Sequence, residues 1–349
     1  MGMNTDYIIV GSGLAGIAVT EELKSRDRSF VVFEDESQTS SLVAGGMYNP
    51  VVLKRFNPVW KGAEQLDVAL PFYQKLEERF EKTYDISMDI LRIFKSVEEQ
   101  NNWFSACDKP RLKPFLVSEI EENNYPAVRA DYLMGRVKGT GRVIVRDLVN
   151  DYRGHLMSEG RLIKESFEHD RLEISDSRVR YGTCEADRVI FCEGNGMMNN
   201  PYFKDLPLEG TKGELITIFA PDLELTEVLK SAVFVMPLGE HLYKIGATFN
   251  WTDKTNSPTE KGREELIEKL KRVISCEFEI RDHEAGVRPT TQDRRPLLGI
   301  HPRHPGLAVF NGLGPRGVMS APFLARQLVD FLEDDVLLDP EVNISRFGF

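Results

Sequence analysis

A glycine-rich turn caught between a strand and a helix constrains this chain more than any other feature. Tyr7-Ile8-Ile9-Val10 is a short apolar run bounded by glycine and reads as a buried parallel strand. It feeds Gly11-Ser12-Gly13-Leu14-Ala15-Gly16, after which Ile17, Val19 and Leu23 mark the apolar side of a helix. A polar break leads to a second strand, Phe30-Val31-Val32-Phe33, which ends in Glu34. In such a βαβ unit Gly11 permits the tight turn, Gly13 lets backbone approach a pyrophosphate, and Gly16 lets helix and strand pack closely. The helix N-terminus offers free N–H groups to the anion, and Glu34 stands where a carboxylate accepts from ribose hydroxyls. An acid there favours an unphosphorylated ribose, FAD or NAD rather than NADP, and this unit does not choose between the two.

Composition narrows the rest. The 349 residues suffice for two domains at roughly 100–200 residues each. Hydrophobic residues make up 41% and charged residues 28%, which excludes a disordered or fibrous chain. No apolar run is long enough for a transmembrane helix, and the N-terminal residues run straight into a strand pattern without a signal-peptide signature. Cys107, Cys184, Cys192 and Cys276 lie far apart with no CxxC and no nearby histidine pair. The expectation is therefore no disulfide scaffold, no metal site and a cytoplasmic location. Acidic residues outnumber basic ones 55 to 44 for a net charge of -11, which disfavours a nucleic-acid partner such as tRNA.

Further along, residues 64–83 carry a helical stripe interrupted by Pro71, which predicts a helix that starts near the proline or kinks there. Arg161 to Ile174 reads as paired short strands, and Asp187 to Cys192 as a central strand ending in a glycine turn. Leu215 to Phe219, Val233 to Met236 and Leu242 to Thr248 read as antiparallel strands. Ser257-Pro258-Thr259-Glu260 predicts a capping box opening a helix. Near the C-terminus, Leu307 to Phe310 is a strand, and Ser320 is placed as the cap of a final helix with Pro322 in its first turn. His301 and His304 are expected on a solvated, proline-rich turn. The fold expectation is α/β with an α+β second domain. A discontinuous Rossmann-like nucleotide-binding domain (1–50, 140–205, 285–349), which the resemblance given below makes FAD-binding, is joined to an antiparallel-sheet substrate domain (51–139, 206–284).

Three segments carry the remaining chemistry. Ser40 to Pro50 brings small residues, Ser41, Ala44, Gly45, Gly46 and Met47 among them, just past the second strand, where a flat ring lying on backbone needs them. Arg288 stands between a glycine-bearing turn and Pro289, a stiff backbone suited to a bidentate grip on a carboxylate. Gly312, Gly314, Arg316, Gly317, Val318 and Met319 lie directly before the final helix, whose N-terminus suits the negative charge of a reduced flavin.

Taken in order, GSGLAG with Glu34, SSLVAGGM, FVMP with YKIGAT, GVRPTTQDRRPLLG and FNGLGPRGVMSAP resemble the D-amino-acid oxidase/glycine oxidase superfamily of FAD-dependent oxidoreductases over almost the whole chain. AGGMYNP and GLGPRGVMSAP look most like the oxidase half of the bifunctional wobble-uridine tRNA-modifying enzyme; its methyltransferase half has no counterpart in these residues. The resemblance implies FAD as cofactor. It also implies oxidation of the C–N bond of a small amino acid or N-substituted glycine by hydride transfer to flavin N5, imine hydrolysis and reoxidation by O2. By the same resemblance Arg288 binds the substrate carboxylate and Arg316 occupies a second arginine position near the flavin. Phe167 contacts the adenine through its backbone, and Gly194 turns against the pyrophosphate. Phe234 falls where glycine oxidase carries a tyrosine that helps hold the carboxylate, so another donor must complete the grip; Tyr48, Tyr243 and His241 are the candidates. Two other readings are carried: oxidative removal of a carboxymethyl group from a modified wobble uridine in tRNA, and a flavin-binding protein without amine oxidase activity. For the tRNA reading a basic rim of Lys54, Arg55, Lys61, Arg136 and Lys138 is the feature to seek.

Overall fold

The computed structural model describes residues 2–175 and 177–349, which pack into two units. One comprises Met1–Leu42, Val145–Thr211 and Val287–Phe349, the other Val43–Ile144 and Lys212–Gly286. The division sets 43–50 and 140–144 with the second unit and 206–211 with the first, whereas the sequence reading cuts at 50, 140 and 205.

The first unit is built on an eight-stranded sheet whose centre is parallel. Met3–Val10 lies between Phe30–Phe33 and Cys184–Phe191, both parallel to it, and Leu162–Ile163 extends the row beyond Phe30–Phe33. These strands are almost continuously buried, as expected of a sheet covered on both faces. The strand Cys184–Phe191 forks: its beginning pairs antiparallel with Val179–Tyr181 and its end pairs parallel with His304–Asn311. The sequence expectation that Arg161 to Ile174 forms a pair of strands with each other is corrected here. Leu162–Ile163 joins the parallel row, while Leu172–Ile174 pairs with Val179–Tyr181.

The final helix, Gly317–Asp334, packs along helix Leu14–Lys24 through a stripe that includes Ala321, Leu324, Ala325, Leu328 and Val329, all buried. It starts before the predicted cap. Residues Gly314–Arg316 form a 3-10 turn that leads into it, and the Ser320 hydroxyl donates back to the Arg316 carbonyl at 3.0 Å rather than capping. His301 is likewise not on a solvated turn. It is buried, with His304 at 4.8 Å between ring centroids and Tyr202, Phe203 and Phe349 edge-on around the pair.

The second unit is a mostly antiparallel eight-stranded sheet in the order Glu279–Arg288, Thr211–Phe219, Leu242–Gly246, Phe234–Gly239, Val228–Lys230, Ile90–Ile93, Met134–Val137 and Leu116–Glu121. Alternation along the strands makes two apolar faces. Ile216, Ile218, Val235 and Ile245 pack with Leu266 and Leu270 of helix Glu260–Lys271. On the other face Ile90, Phe94, Val228 and Met236 pack with Trp103 of helix Val97–Cys107, whose indole N–H donates to the Val117 carbonyl at 3.0 Å.

Of the two alternatives at Pro71 the helix start is excluded, and a second predicted helix start is corrected. Helix Gly62–Phe80 runs through Pro71, which sits on its exposed side, where the carbonyl deprived of its partner can be hydrated. Helix Glu260–Lys271 is capped by Thr259, not Ser257: Thr259 accepts from Gly262 N, and its own amide and hydroxyl donate to Glu214. The carboxylate that completes the cap thus comes from a distant strand instead of Glu260, and Lys212 donates to the Ser257 carbonyl ahead of the helix.

Candidate active site

The nucleotide cradle is assembled at the C-terminal ends of the parallel strands. Gly11 N donates to Phe33 O and Cys192 N to Val10 O, both at 2.8 Å, so three strand ends meet at the first glycine. Gly11 has φ of 99°, and a Cβ on it would stand 2.6 Å from Cys192 O. A Cβ on Gly16 would press on the Gly11 carbonyl, which shows how closely the helix Leu14–Lys24 seats on the turn. That helix begins at Gly13 with no side-chain cap and no acid in its first turn. One amide, Leu14 N, donates to Ser41 Oγ at 3.2 Å; those of Ala15 and Gly16 head the helix beside it.

Glu34 is buried at the end of its strand. Its Oε2 accepts from Ser12 N (2.6 Å), Ser12 Oγ (2.9 Å) and an Arg153 Nη (2.9 Å), while Oε1 accepts from Glu36 N (2.7 Å). Three bonds on one oxygen leave Oε1 as the oxygen with capacity for a hydroxyl donor. Arg153 also donates to Ser12 Oγ at 2.7 Å and is itself buried. Sequence reasoning missed it, because nothing in the helix Val145–Ser158 marks which arginine turns inward. Phe167 is half-buried, stacked on Tyr181 at 4.1 Å and edge-on to Phe33 at 5.6 Å. Two residues on, His169 pairs with Glu193, the residue before Gly194. Glu34, Phe167 and Gly194 therefore gather around one set of strand ends. A glycine-lined approach, an uncapped helix start and a buried carboxylate are what the adenosine diphosphate part of FAD needs, so the residues present fit the group.

The C-terminal loop is tied to the same turn. Asn311 Nδ2 donates to Gly194 O at 2.8 Å, and Asn311 Oδ1 accepts from Gly312 N. Gly312 and Gly314 have φ of 75° and 56°, and Gly314 N donates to Pro289 O at 2.9 Å. The arginine segment is thus joined to the loop that leads into Gly317, Val318 and Met319. Arg288 ends its strand half-buried, and burial brings its guanidinium down to about 10, still a cation at neutral pH. Arg316 is exposed and precedes a helix with no side-chain cap and no acid in its first turn.

In the second unit, Gly45 lies against Phe234. A Cβ on Gly45 would lie 3.4 Å from the tip of the Phe234 ring and 3.7 Å from Met236. Gly46 has φ of 74° and accepts from Val143 N at 3.0 Å, so any side chain there would collide with backbone. The three proposed donors do not gather beside Phe234. Tyr48 is buried and hydrogen-bonded with Asp85, and burial together with that carboxylate raises its phenol pKa. Tyr243 faces the opposite side of the sheet, where its hydroxyl accepts from Leu225 N. His241 is exposed in the turn after Gly239 and meets Phe219 edge-on. The side chain that does reach Phe234, unnoticed in the sequence, is Lys230, with Nζ 6.0 Å from the ring centroid. Among the basic residues named for a nucleic-acid rim, Arg136 is taken up by Asp89, Glu121 and Glu227. Among the described residues no group of three or more His, Cys, Asp or Glu is placed to hold a metal ion, and no helix is long and apolar enough to cross a membrane.

Comparison with known proteins adds an independent line. A model of the FAD dependent oxidoreductase family, DAO, matches residues 6–331. Glycine oxidase of Bacillus subtilis is 21% identical over 383 residues, covering 98% of this chain and 95% of that protein. The tRNA 5-methylaminomethyl-2-thiouridine biosynthesis bifunctional protein of Marinobacter nauticus is 20% identical over 361 residues, covering 93% of this chain and 54% of that protein. The crystal structure of glycine oxidase from Geobacillus kaustophilus matches with a TM-score of 0.82 at 21% identity over 97% of each chain, a likeness of fold.

Proposed function

This chain belongs to the DAO family of FAD-dependent oxidoreductases, and from that premise we propose that it oxidises the C–N bond of a small amino acid or N-substituted glycine. It is an FAD-dependent oxidoreductase, and the relatives it resembles include glycine oxidases. Bound FAD supplies the two-electron acceptor for the substrate Cα–H bond, and the imine left behind is hydrolysed by water.

The observation that carries the substrate reading is Arg288. Its strand end is held between buried Val287 and Pro289, whose carbonyl is fixed by Gly314 N. A planar cation so restrained loses little freedom when it takes a carboxylate in two parallel hydrogen bonds. Orientation of this kind is where a protein contributes to such a reaction, since holding the near-attack geometry is worth several kcal/mol, about 7 in favourable cases. The uncapped start of helix Gly317–Asp334 supports negative charge arising on the cofactor. Glu34, held in place by Ser12 and Arg153, would accept from the ribose end, and the Gly11–Gly16 turn would hold the pyrophosphate. No histidine base is needed, because the amine enters neutral and the electrons leave with the Cα hydrogen. We take O2 as the acceptor and the cytoplasm as the location; four free cysteines support the latter. The tRNA reading loses support from Arg136, whose charge is spent on three carboxylates.

The test is an aerobic panel of glycine, sarcosine, D-alanine and D-proline, following peroxide and the oxo-acid product together. Stoichiometric release of both with at least one member is expected. Peroxide without oxo-acid, or neither with any amine, rejects the reading in favour of a flavin-binding protein or a modified-tRNA substrate.

A further inference from the structure

Most arginines of the first unit are neutralised by a carboxylate. Arg26 pairs with Asp330 and Asp334, Arg171 with Glu168, Arg180 with Glu173 and Arg346 with Asp293, besides the Arg153–Glu34 pair. Two depart from this pattern. Among the described residues the guanidiniums of Arg294 and Arg316 have no carboxylate, carbonyl or ring as partner.

Arg294 stands at the tip of a braced turn. Its amide donates to Thr291 O at 3.1 Å, and the buried Thr291 hydroxyl donates to Arg295 O at 2.7 Å. Asp293 accepts from Arg295 N and from Arg346 Nε, both at 2.9 Å, and Arg346 also donates to the Arg295 and Pro296 carbonyls. In the turn so fixed Arg294 has φ of 59°, a left-handed backbone that suits glycine better than arginine. Its neighbour Arg295 is spent on Glu341 at 2.8 Å, whereas the Arg294 side chain is exposed.

Arg316 comes to the same place from the other loop. Gly312 packs so closely on the turn that a Cβ there would stand 2.8 Å from Thr291 Cγ2 and 3.2 Å from Leu297 N. Gly314 N donates to Pro289 O, and Arg316 closes the 3-10 turn two residues later. Desolvation by the surrounding chain, then Arg294 and Arg295, hold the Arg316 guanidinium below its usual value, and no acid offsets them. Fixed backbone thus brings two unneutralised cations together in a chain whose net charge is -11. A carboxylate is satisfied by one planar fork, whereas a tetrahedral phosphate group offers oxygens to two forks at once.

We propose that Arg294 and Arg316 form a binding site for a phosphate group, monoester or diester, carried by a ligand of this protein. The site lies wholly in the first unit and does not rest on the amine-oxidase reading above.

The experiment titrates the holoenzyme with inorganic phosphate, and with acetate for comparison, by calorimetry at constant ionic strength. Wild type is compared with Arg294→Gly, Arg294→Lys and Arg316→Met, and with Arg180→Met, which removes an exposed arginine of another strand. FAD content and thermal unfolding check the fold; because the turn suits glycine, R294G should unfold no lower than wild type. Wild type should bind phosphate about tenfold more tightly than acetate, and R294G and R316M should each lose about tenfold for phosphate, the worth of one charge-assisted contact. R294K keeps the charge without the fork and should fall between, while R180M should match wild type. Equal affinity for the two anions in wild type, no phosphate binding at all, an undiminished affinity in R294G, or an equal loss in R180M would each overturn the proposal. Two further probes identify the source of the phosphate: O-phosphoethanolamine by calorimetry, and an oligoribonucleotide without terminal phosphates by fluorescence anisotropy. Binding of the monoester that depends on Arg294 identifies a small phosphorylated ligand. Binding of the oligonucleotide that falls less steeply with salt in R294G identifies a nucleic-acid backbone. Failure of both esters overturns the proposal even where inorganic phosphate binds.

Discussion

Replacing Gly16 by alanine is expected to empty the cofactor site while leaving a folded protein. A Cβ there would stand 3.0 Å from the carbonyl carbon of Gly11 and nearer still to its oxygen. Carbon pairs rest at about 3.5–4.0 Å, so the helix must retreat by up to about 1 Å. The obstacle is backbone in a turn already fixed by Gly11 N to Phe33 O, and it cannot rotate aside. The fold should lose about 1–3 kcal/mol, the usual cost of overpacking. Cofactor binding should lose more. A retreat of that size takes amide–phosphate bonds from about 2.9 Å to beyond about 3.5 Å, and two charge-assisted bonds are worth about 3–6 kcal/mol together. The Kd for FAD should therefore rise by about 10²–10⁴-fold. Gly13→Ala should also weaken FAD binding, because its Cβ would stand where backbone approaches the pyrophosphate and would meet Ser41 Oγ at 3.0 Å. The assay is FAD titration of apoprotein by flavin fluorescence quenching, with thermal unfolding of the apoprotein alongside. G16A binding FAD within about threefold of wild type would refute the close-seated helix as the phosphate site.

Arg153→Met should destabilise the protein by about 3–5 kcal/mol, because it strands the buried Glu34 carboxylate, and FAD affinity should fall with it; chemical denaturation and FAD titration measure the two. Arg288→Lys keeps the charge but not the fork, so KM for the amino-acid substrate should rise about tenfold or more with a smaller change in kcat, read from steady-state kinetics. His301 is held down to about 4 by burial and then by His304 and Arg303. The unfolded chain therefore binds the extra proton first, and stability present above about 6.5 should be lost as pH falls from there toward about 4. Tm against pH should slope less steeply in this window for His301→Phe. Gly262→Ala would push a Cβ into the Glu214 carboxylate that anchors Thr259, and should cost about 1–3 kcal/mol by thermal unfolding without changing FAD content.

The parts of this molecule written in consecutive residues were legible in its sequence. Strand, glycine turn, helix, second strand and Glu34 follow one another within a few dozen positions, and each step has a local physical cause. The parts that depend on distant partners were not. Ser320 looked like a cap because serine before an apolar stripe usually is one, yet the preceding 3-10 turn had already started the helix. The helix after Ser257 is capped by Thr259, and that cap is completed by Glu214 from another strand. His301 seemed exposed beside two prolines; only the aromatic cluster that includes the C-terminal Phe349 buries it. Arg153 and Lys230 carried no motif. One is placed by its Glu34 partner far along the chain, the other by a tight turn that sets it across from Phe234.

The most direct test of the central claim is an anaerobic visible spectrum of the purified holoprotein during titration with glycine, sarcosine, D-alanine and D-proline. The account predicts that at least one of them bleaches the flavin band near about 450 nm, the mark of two-electron reduction by a bound amine, and that Arg288→Met requires far more of the same amine to reach half-bleaching. A band that stays intact with every small amine, or bleaching that is indifferent to the loss of Arg288, would contradict it.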